Sequence, residues 1–166
     1  MTIRDLVRNS LRMRPDRIIV GECRGGEALD MLQAMNTGHE GSLTTVHANS
    51  PDDALSRLET LASMSDVEVP FHALRDQVNS AIDVIIQLGR QLDRSRRVTD
   101  VSFVHSKRQQ DFELIPLMTF DRIGRDDQGN AGRFVPHPLP RAFLDRLRSG
   151  HVDTAVFERD FDEAMT

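Results

Sequence analysis

Residues 17–22, RIIVGE, set three β-branched residues in a row before a Gly-Glu pair, and residues 42–48, SLTTVHA, read as a second buried strand. Between them Ala28, Leu29, Met31, Leu32 and Met35 recur at helical spacing, and Gly38 stands where a helix end favours a residue free to take positive φ. Two extended runs with a helix between them open the element order of an α/β domain with a largely parallel sheet. This strand–helix–strand order constrains the fold more than any other feature of the sequence.

The pattern extends in both directions. Upstream, Ile3, Leu6, Val7, Leu11 and Met13 predict a helix over residues 2–13, stopped by Pro15. Downstream, Ser50, Pro51, Asp52 and Asp53 form a helix start: a capping hydroxyl, a proline at the first helical position and acids facing the positive end of the dipole. Ala54, Leu55, Leu58, Leu61 and Ala62 then supply its apolar stripe, a further helix follows Pro70 over residues 70–80, and IDVIIQL, residues 82–88, reads as a third buried strand. The order is that of an α/β domain with a largely parallel sheet. Past about residue 90 the character changes. RRVTDVSFVH, DFELIPLMTF and GRFVPHP are extended segments divided by SKRQQ and by the turn-rich GRDDQGNAG, so a small antiparallel β unit is expected, then a helix over 140–147 and a weakly amphipathic tail from Val152. The expected division is 1–90 for the α/β part and 91–166 for a β-rich appendage with terminal helices.

Composition narrows the classes of function. With 166 residues, the chain is long enough for one domain, or one with a small appendage. No apolar run approaches the ~20 residues of a membrane span, and the opening MTIRDLVRNSLRMRPDR lacks the apolar stretch of a signal peptide, which points to the cytoplasm. One cysteine, Cys23, cannot form an internal disulfide. The net charge of −5 argues against nucleic acid as a main partner; Arg90, Arg94, Arg96, Arg97, Lys107 and Arg108 could form a local basic face, though such a run is more often a solvated turn.

Chemistry gathers at the strand ends. In open α/β sheets ligands bind beyond the carboxyl ends of the strands, where Glu22 ends the first run and His47 the second, with Thr44, Thr45, Asn49 and the Gly-rich segment carrying Arg24 beside them. Three chemistries could use this set. A metal site on Glu22, His39 and His47 would need a histidine spacing that matches no short ligand motif, and Cys23 lacks the surroundings of a nucleophile. Nucleotide hydrolysis fits better: a carboxylate at the end of an apolar strand positions the attacking water, and a polar residue on the next strand reads the γ-phosphate.

Residues 12–61 carry three motifs in order: the RPDR strand entry, the GE-x-RG-x-EA segment, and the TGHEGSLTTVHANSP box. By these the chain resembles the secretion and pilus ATPase superfamily of type II and type IV secretion, most nearly its tight-adherence (Tad, Flp pilus) branch, over roughly residues 2–105. RVTDVSFV and GRF are similar to the tail of that branch. The resemblance implies a RecA-like P-loop NTPase core fragment, the Walker B half, with a small C-terminal antiparallel β unit and terminal helix. It implies that Glu22 is the Walker B glutamate, which polarises the hydrolytic water and helps hold Mg²⁺ through its hydration shell, and that His47 senses the γ-phosphate. Arg24, His39 and Thr45 match the same motifs as the nucleotide and γ-phosphate region, and Cys23 fills a variable position.

The Walker A loop, G-x-x-x-x-G-K-[ST], whose amides cradle phosphates, does not occur here: the only lysine is Lys107. The superfamily's aspartate box and arginine fingers would also lie upstream of Met1. The expectation is therefore the C-terminal part of a hexameric secretion or pilus-assembly motor, cytoplasmic and peripheral to the inner membrane, partnered by platform proteins and by no specific nucleic acid. ATP and Mg²⁺ belong to the complete protein and are not expected to bind tightly to this chain. The alternative is a non-catalytic assembly or interaction module without Walker A.

Overall fold

The computed structural model describes residues 1–91, 94–105, 111–124, 131–155 and 157. Its elements run α1 (Ile3–Leu11), β1 (Ile19–Val20), α2 (Glu27–Met35), β2 (Leu43–Thr44), α3 (Pro51–Ser63), α4 (Phe71–Ala81), β3 (Val84–Arg90), β4 (Arg96–Val104), β5 (Leu114–Gly124), β6 (Ala131–Pro136) and α5 (Arg141–Ser149). The chain forms two compact units, one of residues 1–85 and 104–114, the other of residues 86–103 and 115–166.

In the first unit β1 and β2 pair in parallel, Ile19 opposite Leu43 and Val20 opposite Thr44. The strands are shorter than the runs 17–22 and 42–48 that announce them, because a ladder ends where its backbone groups find no further strand. Single hydrogen bonds prolong the pairing, from Leu43 N–H to the Ile18 carbonyl and from Cys23 N–H to that of Thr45. IDVIIQL does not join this parallel sheet. Its strand, β3, borders a four-stranded sheet in the order β3–β4–β5–β6.

Helix starts follow the capping chemistry of the sequence. The Thr2 hydroxyl and the Asp5 carboxylate cap one another's backbone N–H in a capping box, and the Ser50 hydroxyl accepts from Asp53 N–H with Pro51 at the first helical position. The core gathers Leu29, Met31 and Leu32 of α2, Leu55, Leu58 and Leu61 of α3, and Leu74 and Val78 of α4, against Ile18 and Val20 of the first strand segment. Three expectations of burial fail: IDVIIQL is not a buried strand, with Val84, Ile86 and Leu88 exposed on β3. Ile19 and Leu43 are 74% and 61% exposed, and of the α1 stripe only Val7 is buried, with Ile3, Leu6 and Met13 open to solvent. The β-branched run is therefore covered on one face only.

Charged side chains tie α1 down. Asp30 of α2, largely buried, accepts from Arg4 Nε at 2.7 Å and from Arg8 Nε at 2.8 Å. Arg4 also reaches Asp66. Farther along, Arg75 of α4 pairs with buried Glu59 of α3 at 3.0 Å, bonds Asp111 and lies over the Phe112 ring. In the second unit β5 and β6 pair antiparallel, with Phe120 opposite Phe134 in an edge-on ring contact and Arg97 over Phe120. Phe143 of α5 meets Phe103 at 5.2 Å. Of the arginines read as a solvated turn, Arg94 is exposed between β3 and β4, Arg90 and Arg96 are exposed on those strands and Arg97 is half-buried, whereas Lys107, Arg108, most of GRDDQGNAG and most of the tail lie outside the described residues.

Asp30→Asn keeps the side-chain shape but removes the charge shared by Arg4 and Arg8. The expected loss is about 1–2 kcal/mol, between the small value of an exposed ion pair and that of a fully buried one, read as a lower urea midpoint with unchanged slope.

Candidate functional site

Glu22 stands just beyond the end of β1, and His47 just beyond the end of β2. Because the strands are parallel, both follow carboxyl ends and so reach the same edge of the sheet. The Glu22 carboxylate bridges two partners there. Oε1 accepts from Arg24 Nη2 at 2.6 Å, and Oε2 lies 3.4 Å from His47 Nε2. Arg24, and to a lesser extent His47, hold the Glu22 carboxyl below the usual carboxylate range, and Glu22 in turn raises the Arg24 guanidinium. Glu22 is half-buried, whereas the Arg24 and His47 side chains are mostly exposed.

The framework under this cluster is made of short hydrogen bonds. The Thr45 hydroxyl donates to the Gly21 carbonyl at 2.6 Å, and the Cys23 N–H donates to the Thr45 carbonyl at 2.9 Å. Together they lace the two strand ends after the regular ladder stops. Cys23 points inward, its sulfur 3.4 Å from Met31 Sδ and 3.5 Å from the Thr44 hydroxyl, and burial pushes its thiol up. A thiol held protonated and out of water is a packing group, not a nucleophile.

The glycine-rich segment turns the chain from this edge into α2. A Cβ on Gly26 would stand 2.8 Å from Ser65 Cα and 2.9 Å from the Met64 carbonyl oxygen, so the close approach of the segment to the 64–66 turn requires glycine. Glu27, to which sequence reasoning assigned no role, folds its carboxylate back onto the N–H groups of Arg24 at 2.7 Å and Gly25 at 3.1 Å. The available signal was an acid at the first position of a helix that opens on Gly-Gly. This bond fixes the backbone from which the Arg24 side chain reaches Glu22.

His39 is kept apart from the cluster. It precedes β2 and so lies towards the opposite end of that strand, where its Nδ1 is 3.1 Å from the Ala34 carbonyl at the end of α2. Ser42 bonds the His39 carbonyl and receives Ile18 N–H, joining that loop to the first strand segment. Asn49 is exposed between His47 and the Ser50 cap of α3. Among the described residues no group of three or more His, Cys, Asp or Glu side chains could hold a metal ion directly, and both Glu22 oxygens are engaged, by Arg24 and His47.

The type II/IV secretion system protein family matches residues 1–133. The chain belongs to that family. A putative conjugal transfer protein of Mycobacterium tuberculosis is 44% identical over 102 residues, covering 61% of this chain and 28% of that protein. The type IV secretion system protein PtlH of Bordetella pertussis is 44% identical over 102 residues, covering 58% of this chain and 30% of PtlH. Among solved structures, the VirB11 ATPase from the Brucella suis type IV secretion system, in complex with sulphate, superposes with a TM-score of 0.58 at 30% identity over 62% of this chain and 32% of that one. The chain thus spans about a third or less of the length of these relatives.

With its carboxyl held below the ordinary value of 4.5, Glu22 stabilises the fold above that pH and loses this contribution as pH falls through the lowered folded value. Carboxyl NMR should therefore show Glu22 titrating below 4.5 in the native chain, and Arg24→Gln should move the midpoint up towards it. An unmoved midpoint would remove Arg24 as the dominant cause.

Proposed function

We propose that this chain is the Walker B part of the RecA-like core of a secretion ATPase, and that Glu22 and His47 act on the terminal phosphate of ATP. The supporting observation is the meeting of Glu22, Arg24 and His47 beyond the carboxyl ends of two adjacent parallel strands, in a chain that belongs to the type II/IV secretion family. In this reading Glu22 polarises the attacking water and, through the hydration shell, helps hold Mg²⁺. Bound Mg²⁺ would supply charge neutralisation across the phosphates. His47, exposed at its strand end, presents Nε2 to the γ-phosphate. Arg24 adds positive charge at the same edge, and Thr45 fixes the spacing of the two strand ends.

The wider assignment follows the family. The complete protein would be a hexameric motor that couples ATP hydrolysis to pilus assembly or protein export, working at the cytoplasmic side of the inner membrane with platform proteins. Among the described residues no helix is long and apolar enough to cross a membrane. Placement in the tight-adherence branch is supported by the RVTDVSFV and GRF segments of β4 and β6.

This chain contains no G-x-x-x-x-G-K-[ST] loop, so its strand-end groups have no phosphate cradle of its own to act beside. Titration calorimetry of the 166-residue chain with Mg·ATP should accordingly give no micromolar dissociation constant. Micromolar binding would mean that the phosphates are held by groups other than a Walker A loop.

In a polypeptide extended to the full family length, Glu22→Gln should reduce turnover by roughly 100-fold or more while leaving nucleotide binding in place, since the amide neither accepts the proton of water nor polarises it as a charge does. His47→Ala should impair turnover with little change in melting temperature, because the imidazole is 82% exposed and supports no buried partner. Normal turnover per folded molecule in either variant would remove that residue from the proposed role.

A further inference from the structure

The segment from Gly21 to Gly26 is held from three sides. Thr45, just past β2, donates its hydroxyl to the Gly21 carbonyl and accepts from Cys23 N–H through its own carbonyl. Gly26 lies so near the 64–66 turn that a Cβ on it would meet Ser65 Cα at 2.8 Å. Between these anchors the hold comes from α2, where Oε1 of Glu27 accepts from Arg24 N–H at 2.7 Å and from Gly25 N–H at 3.1 Å. Glu27 thus directs Oε1 away from its own helix and onto the segment that precedes it. The other charged groups of the cleft between α1, this segment and the 64–66 turn are engaged elsewhere: Arg4 with Asp30 and Asp66, Arg8 with Asp30, and Asp5 with Thr2 N–H.

We propose that Glu27 is a positioning residue for Glu22: by holding the N–H groups of Arg24 and Gly25 it fixes the point from which the Arg24 guanidinium grips Oε1 of Glu22, and so makes Oε2 the oxygen that turns to water. The grip needs such a hold. The Arg24 side chain is 70% exposed, and an ion pair in water gains little once the freedom of a long side chain is given up. A backbone already fixed at Arg24 lowers that entropic cost, which lets the 2.6 Å contact persist. Oε2, by contrast, has only the 3.4 Å approach of His47. Glu27 reaches the Glu22 carboxyl through Arg24: Arg24 is the main group that lowers it, His47 lowers it less, and partial burial opposes them. The negative charge of Glu27 would itself act in the opposite sense, raising that carboxyl by like-charge repulsion. The role of Oε2 rests on the ATPase reading of Glu22; the hold of Glu27 on Arg24 does not.

Carboxyl NMR of the 166-residue chain tests the hold. Glu27→Ala should raise the Glu22 midpoint towards its ordinary value of 4.5, whereas Glu27→Gln, which keeps the acceptor oxygen and loses the charge, should leave it lowered. In an Arg24→Gln chain, where the grip is already gone, Glu27→Ala should add no further rise. Glu27→Met removes the acceptor at nearly constant length and gives the same readout if Glu27→Ala does not fold. A midpoint that falls in these variants would overturn the inference, since it would mark Glu27 as a like charge and nothing more. So would an unmoved midpoint in the folded Ala or Met variant, or a further rise in the double variant. In a polypeptide of full family length, Glu27→Ala should lower kcat roughly tenfold or more with KM little changed, and Glu27→Gln should recover most of the loss, because a misplaced group costs rate rather than binding. A raised Glu22 midpoint with normal turnover would keep the positioning role and refute the ATPase reading of Glu22. Lost turnover with an unmoved midpoint would refute the positioning role and leave that reading in place.

Discussion

The site depends on four backbone positions. Ile19 opposite Leu43 and Val20 opposite Thr44 are the whole regular ladder of the parallel sheet, and the two side groups of interest leave the chain within three residues of its end. So short a ladder supplies little cooperativity by itself. Its register is secured from three other directions: Ser42 ties the entry of β2 to Ile18, Thr45 ties its exit to Gly21, and Ile18, Val20 and Cys23 sink into the helical core. A shift of one residue would turn Ile18 and Val20 out of that core and move His47 off the edge where Glu22 stands.

Much of this was legible in the sequence because the signals are local. Ser50-Pro51-Asp52-Asp53 announces its helix by capping chemistry, and α3 begins at Pro51. Gly38 follows α2 with φ of 90°, as a glycine past a helix end does. The positions of Glu22 and His47 at strand ends follow from where the β-branched runs stop. What was not legible is what depends on partners distant in the chain. IDVIIQL has the composition of a buried parallel strand, but composition cannot say which sheet accepts its hydrogen bonds, and β3 pairs with β4. The apolar character of Ile19, Leu43 and α1 suggests burial from composition alone, yet Ile19, Leu43, Ile3 and Leu6 are exposed, because which face of an element is covered depends on neighbours distant in sequence.

The ion pairs divide between holding the fold and serving the site. Asp30 takes two arginines from α1 in a largely buried setting, and Glu59 takes Arg75 in another, so both join helix to helix. Glu22 differs in that its partners, Arg24 and His47, reach it from solvent and fasten no buried element. A carboxylate whose partners are exposed to solvent can exchange them at modest cost, because the same groups are nearly as well satisfied by water. Such exchange is what a group must undergo if it is to turn from a side-chain cation to a water molecule.

The order Glu22-Cys23-Arg24 shows how sequence encodes that arrangement. The bend at Gly21 shifts the alternation of Ile18 and Val20 by one residue, and beyond it a residue and the next but one share a side while the residue between faces away. Cys23 is pulled inward by Met31 and by the Thr44 hydroxyl, and its N–H is held by the Thr45 carbonyl. With Cys23 anchored inward, Glu22 and Arg24 are both directed outward and close enough for the 2.6 Å contact. The constraint on position 23 is therefore one of size and polarity: a small apolar group that fills the space beside Met31 preserves the pairing. A charged or branched side chain there would lift the backbone and separate Glu22 from Arg24, although neither functional group had been changed.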